Sequence, residues 1–147
     1  MSFESALNFV LAREGGLSED PADPGGRTNH GITQNTYDAW QDELGLPRGD
    51  VAAMSMEAVT AIYRDQYWQA SGADVLPDGP ALAVFDTAVN VGVLRARSMW
   101  QDADGDVEAF LWGRLAYYDD LARIRPEMAK FLAGWVRRLV LLREAIT

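Results

Sequence analysis

Between Arg13 and Thr33 the chain reads REGGLSEDPADPGGRTNHGIT. This stretch carries four carboxylates (Glu14, Glu19, Asp20 and Asp23), the hydroxyl of Thr28, and the chain's only histidine, His30. Glycoside hydrolysis usually needs two carboxyl groups facing each other across a sugar bond. One protonates the leaving oxygen while the other activates water or attacks directly. Glu14 suits the first role. It stands just before Gly15-Gly16 at the expected end of a helix, where the partial negative charge of the helix terminus favours a neutral acid.

Asp23 follows nine residues after Glu14, and Pro24-Gly25-Gly26 can turn the chain back toward the helix end. That spacing leaves the distance between the carboxyls open, and Asp20 competes for the second role. A threonine hydroxyl at Thr28 suits the holding of an attacking water. His30 is a base, a donor to substrate, or a pin for the loop. Taken singly, these residues also have ordinary readings: Asp before Pro opens turns, and a Glu near a helix end is commonly just surface.

No metal set is expected. One histidine and no cysteine cannot make a zinc site. DADGDVE (102–108) has the Asp spacing of the first calcium-loop ligands. However, its glycine is misplaced at Gly105, and Gly113 stands where the closing Glu is needed. It reads as a solvated turn.

The elements that must position these groups are helical. Apolar periodicity and capping residues predict helices over 2–14, 33–44, 55–70, 93–102, 106–123 and 126–145. The segment ALAVFDTAVNVG (81–92) is apolar on most sides and holds no Lys or Arg, which makes it a buried central helix. Asp86 and Asn90 lie one turn apart on it. As buried polar groups they need partners, and they either brace the loop or line the substrate site. Most aromatic residues, among them Tyr37, Trp40, Tyr67 and Trp112, fall at core spacing. No period-2 pattern runs far, although a short hairpin inside 15–32 fits. The expected fold class is all-α in one domain.

The totals agree. A chain of 147 residues, 48 % hydrophobic and 24 % charged, can bury one core. A net charge of −9 argues against a broad nucleic-acid-binding surface. No apolar run is long enough to span a membrane. The opening MSFESALNFVLAREGG lacks a basic leader and carries Glu4, so synthesis in the cytoplasm is expected.

Read together, EGG followed by DPADPGGRTNHGIT closely resembles the N-terminal motif of glycoside hydrolase family 108, the N-acetylmuramidases of phages, prophages and some bacterial secretion loci. The family's Glu-Gly-Gly maps to Glu14, Gly15 and Gly16. Its D-P-G-G-x-T-x-x-G-I run maps to Asp23, Pro24, Gly25, Gly26, Thr28, Gly31 and Ile32. Leu17 stands where the family usually has an aromatic residue. The order Glu, Asp, Thr is also similar to that of T-even phage lysozymes.

FDTAVNVG resembles the family's central D-x-A-x-N-x-G helix. The segment from Arg114 to Leu139 resembles a predicted peptidoglycan-binding part, through Arg114, Tyr118, Gly134, Trp135 and Arg138. Longer members carry an insertion after the position of Gln101, where this chain has only DADGD. The C-terminal helices are therefore expected to complete the core.

The resemblance implies a lysozyme-like single domain, with a catalytic part over 1–92, an active-site loop over 14–33 and C-terminal helices over 93–147. It implies a peptidoglycan hydrolase of the endolysin type that cleaves between N-acetylmuramic acid and N-acetylglucosamine. Glu14 would be the acid, Asp23 the second carboxylate and Thr28 the water holder, with Asp20, His30 and Asn90 on the substrate. Inversion and retention both stay open; a loop-borne Asp and a water-holding Thr suit a water on the opposite face, which leans toward inversion. No cofactor, metal, nucleic acid or integral membrane contact is implied. The protein would be a monomer released by a separate holin to act in the periplasm or cell wall. Two alternatives stay open: a lytic transglycosylase using Glu14 alone, and a non-catalytic wall-binding or secretion-assisting protein.

Overall fold

The computed structural model describes residues 1–18 and 26–147. Among the described residues the elements run α1 (Phe3–Leu11), β1 (Thr28–Asn29), β2 (Ile32–Thr33), α2 (Gln34–Glu43), α3 (Met56–Tyr63), α4 (Asp78–Val91), α5 (Val93–Asp102), α6 (Val107–Ile124) and α7 (Leu132–Ile146). Short 3₁₀ turns cover Val51–Ala53, Ala73–Val75 and Pro126–Phe131, and a π-helical segment covers Arg64–Gln69. This is the expected all-α, lysozyme-like class, with the short hairpin present.

The chain forms two compact units, Leu7–Asp65 and Met1–Ala6 with Gln66–Thr147. The smaller unit holds the hairpin, α2 and α3. Its core is built from Leu7, Val10, Ile32, Tyr37, Val51, Val59, Ile62 and Tyr63. Each helix starts where a hydroxyl can accept a free amide: Thr33 caps α2 through the Thr36 N–H, and Ser55 caps α3 through the Ala58 N–H. Leu44, just past the end of α2, is 57 % exposed. The α2 face that turns inward carries Tyr37 and Gln41, and Gln41 spends its carbonyl on the Gly49 amide at 2.9 Å.

The helix expected over 55–70 changes pitch at Arg64. A π turn bonds residues five apart in place of four. Accordingly Trp68 is buried, and Tyr67, expected inward, is only half-buried.

In the larger unit α4 is the axis. All eight residues from Ala81 to Ala88 are buried, as an all-round apolar helix requires. Phe3, Trp68 and Phe85 make one aromatic cluster, with ring centroids 5.3–6.0 Å apart. Gly92 closes α4 at φ +103°, a conformation that glycine reaches without strain. The DADGD segment is a turn, with Asp104 and Gly105 at positive φ and Asp106 capping α6. Trp112, placed at core spacing by sequence, is 67 % exposed on α6.

Candidate active site

Glu14 sits where the first helix runs out. Regular α1 geometry ends at Leu11, yet the Glu14 amide still donates to the Val10 carbonyl at 3.1 Å. The carboxyl is thus carried on a last, loosened turn. Arg13 points back along the helix: its guanidinium donates to the Phe9 carbonyl at 2.7 Å and lies 3.5 Å over the Phe9 ring. Among the described residues, a Cβ on Gly15 or Gly16 would meet nothing within 4 Å.

The hairpin comes next. Ser18 bridges back to Thr28 through a pair of backbone hydrogen bonds, at 2.6 and 2.8 Å. Thr28 pairs with Thr33, and Asn29 with Ile32. Only His30 and Gly31 remain for the loop, and both have positive φ, at +50° and +77°. That is the signature of a type I′ turn, whose twist matches the flanking strands. Side chains alternate faces along a strand. Asn29 and Ile32 therefore share the buried face, and Thr28 shares the other with Thr33.

Gly31 brings the turn and the acid together. A Cβ at Gly31 would lie 2.8 Å from Glu14 Oε2, 3.1 Å from its Cδ, and 2.7 Å from the Tyr63 hydroxyl. A side chain there would force these two groups to shift, and the φ of +77° itself favours glycine. The Tyr63 hydroxyl donates to the His30 carbonyl at 2.6 Å.

Polar side chains of the same unit brace this arrangement. Asn29 Nδ2 donates to the Val51 carbonyl at 3.0 Å. Gln34 donates to the Gly49 carbonyl at 2.9 Å and accepts from the Val51 amide at 2.8 Å. Arg27 pairs with Asp50 at 2.6 Å. The Ala52 amide, and after it Arg27, hold the Asp50 carboxyl below the usual carboxylate range.

Of the residues expected at the site, the structure brings Glu14 against the His30-Gly31 turn and places Thr28 on β1 of the same hairpin. Asp20 and Asp23 lie outside the described residues. Asn90 belongs to the larger unit, where its Oδ1 accepts the Tyr118 hydroxyl proton. Sequence reasoning missed Asn29 and the hydroxyl of Tyr63. Tyr63 falls at core spacing on α3 and is fully buried, so helical periodicity accounts for its ring and leaves its hydroxyl unannounced.

The larger unit holds a second polar cluster. Asp86 is fully buried and takes Arg114 at 2.7 Å and Arg138 at 2.9 Å. Arg114 also donates to the Tyr118 oxygen at 2.8 Å and to Thr87 at 2.9 Å. Burial pushes the Asp86 carboxyl up, but the charges of Arg114 and then Arg138 outweigh it and hold the group below the ordinary carboxylate range. Burial pushes the Tyr118 phenol up. Arg114, Tyr118 and Arg138, which the resemblance assigned to wall binding, hydrogen-bond within this internal network, and Trp135 stacks on Tyr118 at 5.1 Å.

The family model described as Glycosyl hydrolase 108 matches residues 7–92. The solved structure of SagA from Brucella abortus is similar at a TM-score of 0.81 and 30 % sequence identity, over 98 % of this chain and 92 % of that one. No curated protein matches the sequence.

Proposed function

Since the chain belongs to glycosyl hydrolase family 108, we propose that it cleaves peptidoglycan as an N-acetylmuramidase, with Glu14 as the general acid. The bond is the β-1,4 link from N-acetylmuramic acid to N-acetylglucosamine. Glu14 gives its proton to the leaving oxygen as positive charge builds on the sugar ring. Asp23, or Asp20, stabilises that charge or activates the incoming water, and Thr28 orients it. His30 contacts the glycan. The observation that carries the reading is the placing of the Glu14 carboxyl: half-buried, on the last turn after α1, and held against the hairpin at Gly31. A proton donor gains most from such fixed geometry.

With a net charge of −9, bulk electrostatics oppose approach to an anionic wall. Affinity therefore comes from hydrogen bonds and apolar contacts at the site. A separate holin-type pore fits as the route from cytoplasm to wall.

The test compares wild type and Glu14→Gln, matched for circular dichroism, on Gram-negative cells stripped of outer membrane. Wild type is expected to clear the suspension and Glu14→Gln to lose at least about 100-fold in rate, the scale of general acid catalysis. Mass spectrometry is expected to find reducing muramic acid ends. Equal clearing by both proteins sinks the assignment of Glu14. Release of 1,6-anhydro ends replaces hydrolysis with lytic transglycosylation. Failure of both proteins on a wall that a control lysozyme degrades leaves a wall-binding role.

A further inference from the structure

Tyr63 closes α3 and is fully buried, yet its ring ends in a hydroxyl. For packing alone phenylalanine would serve, and a buried phenol must find a partner. Its partner is the backbone of the turn, the His30 carbonyl at 2.6 Å. His30 holds φ +50°, a region that costs a non-glycine residue about 1–2 kcal/mol. The turn therefore has reason to lean on a bond from outside the hairpin.

The next residue, Gly31, has the Tyr63 oxygen and Glu14 Oε2 on one side of it, 2.7 and 2.8 Å from the same point in space. Phenol, turn and carboxyl thus converge on a single backbone position. The π-helical segment begins directly after Tyr63, a local widening that is frequent at functional sites.

We propose that Tyr63 is a positioning residue for Glu14. Its hydroxyl clamps the His30 carbonyl, and the clamped turn holds Gly31 as the wall against which the Glu14 carboxyl rests. The orientation of the donor oxygen is then set from α3, and α1 alone does not determine it. The proposal rests on the reading of Glu14 as the general acid. It makes the phenolic oxygen of Tyr63 a determinant of the chemical step, with no contact to the glycan required.

The experiment measures kcat and KM on soluble glycan strands for wild type, Tyr63→Phe, Glu14→Gln, the double variant and Val59→Ala. Val59 is buried in the same helix and serves as a stability control. Tyr63→Phe is expected to lower kcat about 10- to 100-fold, the scale of a misplaced reacting group, and to leave KM within about twofold. Val59→Ala should lose comparable thermal stability with kcat close to wild type. In the Glu14→Gln background, Tyr63→Phe should change nothing further. A Tyr63→Phe protein with wild-type kcat overturns the proposal. So does one that fails to fold, and so does an equal loss of kcat in Val59→Ala. If Glu14→Gln itself stays active, the acid assignment fails and takes the proposal with it. An inactive Glu14→Gln beside a fully active Tyr63→Phe sinks the positioning role alone.

Discussion

The Glu14 carboxyl rests on Gly31, its Oε2 2.8 Å from the point where a side chain on that glycine would begin. The two residues are distant in sequence, one leaving α1 and the other turning the hairpin. Contact this close between a carboxyl and a glycine means that either one, if changed, moves the other.

Gly31→Ala tests that contact. The new methyl would meet both Glu14 and the Tyr63 hydroxyl below 3.0 Å, and φ is +77°. The αL conformation alone costs about 1 kcal/mol for alanine, and displacement of the two oxygens adds to it. We expect a lower Tm by thermal circular dichroism and at least a tenfold loss of lytic rate, on the order set for a displaced catalytic group. Wild-type stability together with wild-type lysis would show that the hairpin does not seat Glu14.

His30→Asn separates the two roles open to His30. Asparagine is favoured where a type I′ turn needs positive φ, and the atom that Tyr63 holds is the backbone carbonyl, which the substitution keeps. Stability should stay within about 0.5 kcal/mol of wild type. If the imidazole contacts the glycan, KM rises by about three- to tenfold, the scale of one lost hydrogen bond. That rise is the expected result, and an unchanged KM would give His30 to the turn alone.

The Asp86 cluster predicts a pH dependence of stability. Arg114 and Arg138 hold the folded-state carboxyl below its ordinary value against the effect of burial, whereas in the unfolded chain it titrates at about 3.9, as an unperturbed aspartate does. The group's contribution is therefore complete above pH 4, roughly, and is lost as pH falls through the lowered folded value. Urea unfolding across pH 2–7, approximately, should show this loss in wild type and a flatter acid limb in Asp86→Asn. Arg114→Met should cost about 3–5 kcal/mol at neutral pH, because Asp86 stays buried with one cation fewer. A cost below about 1 kcal/mol, the scale of an exposed pair, would mean that the cluster contributes little to stability.

Much of the molecule was legible in the order of residue types. Helical periodicity located α1, α2, α5 and α6 to within a few residues. The lack of charge over most of 81–92 marked α4 as buried, and its buried run from Ala81 to Ala88 agrees. Less legible were the places where a side chain serves a distant backbone. Gln41 occupies an inward position because of the Gly49 amide, which no local pattern announces. Trp68 replaces Tyr67 inside because the helix widens to a π turn, and periodicity assumes a constant pitch. Arg114 and Arg138 share the partner Asp86, and Tyr118 joins them through Arg114, a meeting of separate helices that no local pattern announces.

By itself, the sequence determined the helical class, the placing of Glu14 at a helix end, and the family motif that surrounds it. These depend on neighbours within a turn or two of chain, and residue type alone specifies them. The tertiary structure decided which hairpin face is buried, so that Asn29 braces and Thr28 does not share its face. It also decided that Gly31, His30 and Tyr63 meet at the Glu14 carboxyl, and that Asp86 finds Arg138 across 52 positions. Such meetings are set by the packing of whole elements, and a one-dimensional spacing carries no record of which elements pack together.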